Sequence, residues 1–397
     1  MKLKPIIVSL LDTDLYKFNM NQVIFHYHTN LTGEYVFKCR NKNVIFTKEM
    51  LNEINEQIDY LATLRFTDDE LNYLRSIRYL KNDYIEFLRL WHPLRNYVTT
   101  GLSDSGELFI KVNGPLFSAM QFEIYLLSIV NEVYFRMNYD YEKLHESARD
   151  KLLEKIKKFE NGEYNFEFSE FGTRRRLSRQ WQDELINTLN KTNVCKATSN
   201  VYFAKKYNLT PVGTFAHEFV QMYQGIPQIP LAYTNKAALK DWFKEYNGDN
   251  GIALTDTITT DLFLDDFDYL EASIYKGVRH DSGDPYLWGE KILNHYKKLG
   301  INPKEKILLF SDSLNFDKAQ NLYNYFKDRC IVRFGIGTYV TNDTCVDPLN
   351  IVIKLQYVNG RPVAKLSDVN TKTMCQDDEY YNYLNNAVRW RLEHDKK

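Results

Sequence analysis

After about residue 190 the chain repeats one pattern: a short β-branched run ending in Gly, Ser, Thr or Asp, then a helix-like segment. The runs are NVCKATSN, PVGTFAHE, GIALTDTI, GVRHDSGD, KILLFSDS and IVRFGIGT, with amphipathic stretches such as PYLWGEKILNHYKKLG and FDKAQNLYNYFKDR between them. About six alternations of strand and helix predict a parallel sheet or a (β/α) barrel. All strands of such a fold point one way, so polar residues at their C-terminal ends line a shared pocket.

The front of the chain reads differently. PLFSAMQFEIYLLSIVNEVYF has the continuous apolar character of a long buried helix, while GEYVFKCRN and GELFIKVNG read as strands bounded by Gly and Asn. The expected architecture is therefore α/β, an irregular (β/α) barrel with an additional N-terminal α+β domain. Residues 1–130 form the α+β domain, 131–345 the barrel with the active site, and 346–397 a segment that packs back on the front domain. No fixed-period repeat and no Gly/Ser-rich or Pro-rich linker separates these parts, so tight packing between them is expected.

Composition removes several function classes. The chain has 397 residues, 44% of them hydrophobic, which is enough for a sizeable core. Its 51 basic and 52 acidic residues nearly cancel and the basic ones are scattered, which gives nucleic-acid binding no support. The apolar PIIVSLL near the start is far shorter than the roughly 18 residues a membrane span requires, so a cytoplasmic protein is expected. Cys39, Cys195, Cys330, Cys345 and Cys375 are odd in number and contain no C-x-x-C pair, which argues against a disulfide framework and a structural zinc site.

Charged and polar groups gather at the ends of the runs. SEFGTRRRLSRQWQ carries Arg174, Arg175, Arg176 and Arg179 after a Phe-Gly turn. These arginines either clamp phosphate or carboxylate through bidentate forks or form a salt-bridged helix face. In GVRHDSGDP, Arg279, Asp281 and Asp284 fall close together beside Gly283, which suits a sugar phosphate; an Asx turn is the structural alternative. In RFGIGTYVTND, Gly335 and Gly337 precede Thr338 and leave backbone N–H groups open for a phosphate nest. The stretch lacks the full dinucleotide fingerprint and the P-loop lysine. FSDSLNFDKA offers Asp312 for a ribose hydroxyl, with Ser313 or Asn315 as a helix cap. His217 stands in GTFAHEFVQMY where a strand gives way to a helix, with Glu218 beside it. A lone histidine without spaced partners is a poor metal candidate, and a buried, hydrogen-bonded ring is its commonest state.

Taken in order, LLDTDLYKFNM, EFGTRRR, ATSN, GTFAHE, GVRHDSGDP, LLFSDS and FGIGT resemble the nicotinate phosphoribosyltransferase family over nearly the whole chain. The resemblance implies synthesis of nicotinate mononucleotide and pyrophosphate from nicotinate and 5-phosphoribosyl 1-pyrophosphate, within NAD salvage. It also implies coupled hydrolysis of ATP through a phosphohistidine at His217, with Mg²⁺ as cofactor and a head-to-tail homodimer with shared active sites. Phe171 and Tyr16 would sandwich the pyridine ring, with Tyr16 coming from the partner subunit. Arg174 and Arg279 would lie near the nicotinate carboxylate and the phosphates. Asp281 and Asp312 would lie near the ribose, with Asp281 on the metal, and Gly337 with Thr338 around the 5′-phosphate.

Ser199 is a departure from the related nicotinamide enzyme, which has an aspartate at this point. A neutral Ser199 beside Thr198 is expected to avoid like charge and donate to the substrate carboxylate. Nicotinamide phosphoribosyltransferase is the alternative enzyme, and a non-catalytic nucleotide sensor or a sugar-phosphate hydrolase on the same fold are alternatives of other classes.

Overall fold

Five of the six β-branched runs contain a strand, and the sixth, PVGTFAHE, begins on the last residue of one. In chain order the strands are β1 Thr32–Cys39, β2 Val98–Leu102, β3 Leu108–Pro115, β4 Phe168–Glu170, β5 Cys195–Thr198, β6 Thr210–Pro211, β7 Ile252–Leu254, β8 Gly277–His280, β9 Ile307–Phe310, β10 Ile331–Ile336, β11 Ile351–Val358 and β12 Arg361–Pro362. The computed structural model describes residues 4–192, 194–369 and 375–395.

The chain divides into two compact units. The first comprises Met1–Asn30, Glu34–Gly213 and Gly335–Lys354; the second comprises Leu31–Gly33, Thr214–Phe334 and Leu355–Lys397. The division falls inside the parallel-strand region, not near residue 130. The C-terminal segment splits in the same way. In the first unit, Arg40 N–H donates to the Asn350 carbonyl at 2.9 Å and Arg175 Nε to the Ile351 carbonyl at 2.9 Å. In the second, the helix Asp378–His394 is fixed by Arg391, which reaches Asp265 at 2.8 Å and Asp266 at 2.6 Å. The C-terminal helix thus packs inside the second unit. Residues 1–3 of the expected front domain, and 370–374 and 396–397 of the expected C-terminal segment, lie outside the described residues.

The first unit holds the antiparallel pair β2 and β3, in register from Val98↔Val112 to Leu102↔Leu108. It also holds three parallel strands in the order β6-β5-β4. The apolar stretch read as one long helix is two: Leu116–Ala119, then Phe122–Asn138 after Met120 and Gln121. The second of these is buried on nearly every face, as a helix apolar all round must be. Its few polar side chains are used: Ser128 Oγ donates to the Thr173 carbonyl at 2.9 Å and Asn131 Nδ2 to the Arg176 carbonyl at 2.6 Å. A central helix therefore grips the arginine-bearing turn from beneath.

The second unit is built on the parallel strands β7, β8, β9 and the start of β10, adjacent in that order, with Ile252↔Gly277, Gly277↔Ile307 and Ile331↔Ile307 as partners. Parallel neighbours need crossovers, here supplied by helices that include Pro285–Lys298 and Phe316–Phe326. A Cβ at Gly277 would lie 2.1 Å from the Ile307 carbonyl oxygen, so only glycine lets β8 and β9 approach there. After β11 the chain reverses through Asn359 and Gly360, with φ of 51° and 73°, into β12. Two left-handed residues in succession suit a two-residue hairpin, for which Asn-Gly is the preferred pair. Among the described residues, no helix is long and apolar enough to cross a membrane, and all five cysteines are free.

Candidate active site

In the first unit, LLDTDLYK, EFGTRRR and ATSN are joined by their backbones before any side chain is considered. Leu15 N–H donates to the Ser199 carbonyl at 2.7 Å, Val201 N–H to that of Thr13 at 2.9 Å, and Ser199 N–H to that of Glu170 at 2.9 Å. Arg176 and Asp12, both fully buried, form a bidentate pair at 2.7 and 2.9 Å. Asn200 donates to the same carboxylate at 2.8 Å, and Arg179 Nε stands 3.3 Å away. Burial opposes charge on Asp12, but Arg176 and Arg179 overcome it and hold its pKa below the usual carboxylate value.

Glu170 has the opposite balance. Its Oε2 accepts from Thr198 Oγ1 at 2.6 Å and Gln182 Nε2 at 3.1 Å, and its Oε1 accepts from Gly172 N–H. These donors are neutral, so burial dominates and raises the pKa to about 7. Ser199 Oγ donates to Asp14 Oδ1 at 2.7 Å, and burial raises the Asp14 pKa as well.

The four arginines have separate tasks. Arg176 is committed to Asp12, Arg175 to the Ile351 carbonyl and Asn350, and Arg179 to Asp12 and the face of Tyr202 at 4.6 Å. Arg174 has a side chain 40% exposed and stands 4.0 Å from Glu123, whose closer partner is Lys17 at 2.6 Å. Of the four, Arg174 is the one whose guanidinium combines large exposure with the weakest ion-pair geometry.

Phe171 lies on this turn, half-buried, its N–H donating to the Ile336 carbonyl at 2.9 Å. A Cβ at Gly335 would fall 2.3 Å from the Phe171 ring, and one at Gly337 would fall 2.8 Å from the Phe171 carbonyl oxygen. Both glycines are therefore required for close approach of the aromatic residue. Thr338 opens the short helix Thr338–Thr341 and is half-buried. Tyr16 lies on the helix Leu15–Tyr27, with Gly213 packed against its backbone N at a would-be Cβ distance of 3.1 Å.

The second unit assembles a different group. His217 is the first residue of the helix His217–Met222 and is buried. Its Nε2 lies 3.0 Å from Asp256 Oδ1, 2.8 Å from Lys365 Nζ and 3.5 Å from Asp281 Oδ2. Lys365 Nζ also reaches Asp256 Oδ2 at 2.8 Å, and Ser282 donates to that oxygen. Burial and then the Lys365 ammonium push the His217 pKa down to about 4, against the pull of Asp256 and Asp281. Near neutrality the ring is uncharged. It has one proton to place, either on Nε2 facing Asp256 or on Nδ1, which leaves the Nε2 lone pair to Lys365. Burial opposes ionisation of Asp256, yet the facing imidazole and ammonium draw its pKa well below the carboxylate range.

Asp281 connects this buried group to solvent, since its side chain is 31% exposed. Ser311 Oγ donates to its Oδ1 at 3.3 Å, and Arg279 is among the cations that favour its charge. Arg279 Nε is buried and has no hydrogen-bond partner among the described residues. Asp312 follows β9, half-buried, and accepts from the Ser313 hydroxyl at 3.0 Å. Asn315 caps the helix Phe316–Phe326 through Lys318 N–H, and Asp284 caps the helix Pro285–Lys298 through Tyr286 and Leu287 N–H. Asp284 thus follows the turn alternative.

Two expectations change. The histidine that stood without spaced partners in the sequence has one in the fold, the Asp256 carboxylate, 39 residues away. The Ser199 and Thr198 hydroxyl protons are directed at the protein carboxylates Asp14 and Glu170. Two residues escaped the sequence reading altogether. Asp256 lies inside GIALTDTI, at the end of a run, where its position was a signal; Lys365 follows the Asn-Gly hairpin and has no local motif of its own.

His217, Asp256 and Asp281 offer ligand atoms within 4.8 Å of one another. Lys365 places an ammonium 2.8 Å from two of those three side chains, so a divalent ion at their centre would meet a positive charge. Asp281 alone combines a hard oxygen donor with solvent access, which fits Mg²⁺ that keeps most of its water and phosphate ligands.

The Nicotinate phosphoribosyltransferase (NAPRTase) family model matches residues 166–391, and the model of its N-terminal domain matches residues 11–131. A protein named nicotinate phosphoribosyltransferase from Chromobacterium violaceum is 46% identical over 97% of this chain and 98% of its own length. One of the same name from Acinetobacter baylyi is 48% identical over 97% of both. The crystal structure of nicotinate phosphoribosyltransferase from Vibrio cholerae superposes with a TM-score of 0.91 at 36% identity, covering 97% of this chain and 94% of that one. The Porphyromonas gingivalis enzyme gives 0.87 at 34% identity, covering 96% and 100%. With both family models matched, and with relatives this similar along its whole length, the chain belongs to the nicotinate phosphoribosyltransferase family.

Proposed function

We propose that this chain transfers the phosphoribosyl group of 5-phosphoribosyl 1-pyrophosphate to nicotinate, and that ATP drives the reaction through transient phosphorylation of His217. In the transfer, the pyridine nitrogen forms a bond to C1 of the ribose as the C1–O bond to pyrophosphate breaks. The products are nicotinate mononucleotide and pyrophosphate, which gives the protein its place in NAD salvage.

One observation carries the coupling step: a neutral imidazole is held between a carboxylate and an ammonium. A neutral ring keeps the lone pair needed to attack the γ-phosphorus of ATP, and burial favours that form. As the N–P bond forms, ADP leaves. With the ring proton on Nε2 and hydrogen-bonded to Asp256, Nδ1 carries the attacking lone pair, and the Lys365 ammonium balances the Asp256 carboxylate that steadies the ring as it gains positive charge. Water then cleaves the N–P bond, releasing phosphate and restoring the imidazole.

The remaining roles are those that the family resemblance implies. Phe171 and Tyr16 supply aromatic faces for the pyridine ring, with Tyr16 drawn from the partner subunit of a homodimer. Arg174 and Arg279 take the carboxylate and phosphates, Gly337 and Thr338 the 5′-phosphate, and Asp312 a ribose hydroxyl. Thr198 and Ser199 line the base site; because Ser199 already donates to Asp14, its contribution to choosing acid over amide is removal of a carboxylate at its own position. Asp281 would hold Mg²⁺, which when bound neutralises pyrophosphate charge as the leaving group departs.

The test is product formation with 5-phosphoribosyl 1-pyrophosphate and Mg²⁺, with and without ATP, using nicotinate or nicotinamide as the base. Nicotinate mononucleotide formation, increased by ATP in the wild type and not in His217→Ala, is expected. Turnover of nicotinamide alone would replace the substrate assignment, and undiminished ATP stimulation of His217→Ala would remove the phosphohistidine.

A further inference from the structure

The Lys365 ammonium contacts both His217 and Asp256, yet its side chain has four rotatable carbons and could sample many positions. Its backbone is held unusually well. Gln224, only 2% exposed, clamps the residue just before it: Nε2 donates to the Ala364 carbonyl at 2.8 Å, and Oε1 accepts from Ala364 N–H at 2.8 Å. The same Oε1 accepts from Tyr380 OH at 3.0 Å, which fixes the amide orientation. On the far side, Leu366 N–H donates to the carbonyl of Thr257, the residue after Asp256, at 3.0 Å.

Gln224 and His217 belong to one helical stretch. His217–Met222 continues directly into the tighter turn Tyr223–Gly225, and seven residues separate the two side chains. Seven residues are close to two full turns, so both side chains project from nearly the same face. That face meets the segment after β12 that carries Ala364 and Lys365. Gly225 is part of the fit, because a Cβ there would lie 2.4 Å from the Val358 side chain and 2.8 Å from its carbonyl oxygen. Val358 opens the Asn359-Gly360 hairpin that returns the chain to Lys365.

We infer that Gln224 is a positioning residue for phosphoryl transfer: by clamping Ala364 it sets the Lys365 ammonium against His217 and Asp256. One short helix thereby carries the imidazole at its start and, two turns on, the amide that places the cation beside that imidazole. The inference rests on His217 being the phosphoryl acceptor.

The experiment measures the initial rate at which γ-labelled ATP labels His217 in the full-length wild type, Lys365→Met, Gln224→Met, Gln224→Glu and the double variant Gln224→Met/Lys365→Met. Gln224→Met removes every polar contact. Gln224→Glu keeps both acceptor contacts but turns a carboxylate oxygen towards the Ala364 carbonyl in place of the donor, which opens one side of the clamp, so it decides the matter if Gln224→Met fails to fold. Gln224→Met is expected to slow labelling about tenfold or more and Gln224→Glu less. The double variant should label no more slowly than Lys365→Met, because both changes remove the same group from the same place. The ring-nitrogen resonances of His217 should also move in the same direction in Gln224→Met and Lys365→Met, which a general loss of stability would not produce. Wild-type labelling rates in the folded Gln224 variants, or multiplied losses in the double variant, would overturn the inference. Absence of label on wild-type His217 would instead remove the phosphohistidine reading beneath it.

Discussion

The two units treat buried charge in opposite ways. In the first, Asp12 is saturated by Arg176, Asn200 and Arg179, while Glu170 meets only neutral donors. In the second, one imidazole is shared between Asp256 and Lys365, with Asp281 leading outward to solvent. A saturated network has one arrangement and serves as scaffold, whereas a ring with two competing partners at one nitrogen can exchange them and change charge. The arginine-rich turn, the most conspicuous feature of the sequence, is therefore largely architecture, and the proposed coupling chemistry falls to the unobtrusive histidine.

That contrast can be broken at its strongest point. Asp12→Ala leaves the Arg176 guanidinium fully buried without its carboxylate, and should cost about 3–5 kcal/mol in urea unfolding. A loss below about 1 kcal/mol would show that the pair is not the keystone of the first unit.

Glu170 sharpens the comparison through pH. Its pKa rises on folding from 4.5 to about 7, so its contribution is fully present below about pH 4.5 and is lost as the pH rises to about 7. Glu170→Gln should remove that slope, worth on the order of 3 kcal/mol across the interval. An unchanged stability profile between pH 4.5 and 7 would mean that the carboxylate is already charged.

In the second unit the sign reverses. The His217 pKa falls on folding from 6.5 to about 4, so stability from the neutral ring is present above about pH 6.5 and is lost as the pH falls towards 4. Lys365→Met should raise the ring's pKa, because the nearby positive charge is gone while Asp256 stays, and should slow phosphoryl transfer by about 10- to 100-fold, corresponding to loss of a charged hydrogen bond. Titration of the imidazole by NMR checks the first effect and single-turnover labelling the second. A still lower pKa would reverse the electrostatic argument.

The smallest effect belongs to Asp284. As an N-cap it should contribute about 1 kcal/mol through the helix Pro285–Lys298, and Asp284→Ala should lower stability by that amount with turnover nearly intact. A large loss of turnover would return it to the functional residues.

Much of this fold was legible because the parallel strands announce themselves locally. NVCKATSN, GIALTDTI, GVRHDSGD, KILLFSDS and IVRFGIGT each contain a strand, since β-branched residues end at turn formers. β4 was missed because FSE has neither β-branching nor length, and is a strand only through pairing with β5. The site was less legible than the fold. His217 and Asp281 lie at run ends and could be read, but Lys365 reaches His217 only through a hairpin more than a hundred residues later. Nor could the order of three adjacent arginines reveal that Arg176 points inward to Asp12 while Arg174 stays half-exposed. Such choices are made by tertiary partners, not by local spacing.

The most direct measurement is brief exposure of the protein to γ-labelled ATP, followed by peptide mapping under the alkaline conditions that preserve phosphohistidine. The account predicts one labelled site, His217, with the label lost in His217→Ala and discharged during turnover of nicotinate and 5-phosphoribosyl 1-pyrophosphate. Label on another residue, or ATP-stimulated synthesis with His217 never phosphorylated, would contradict it.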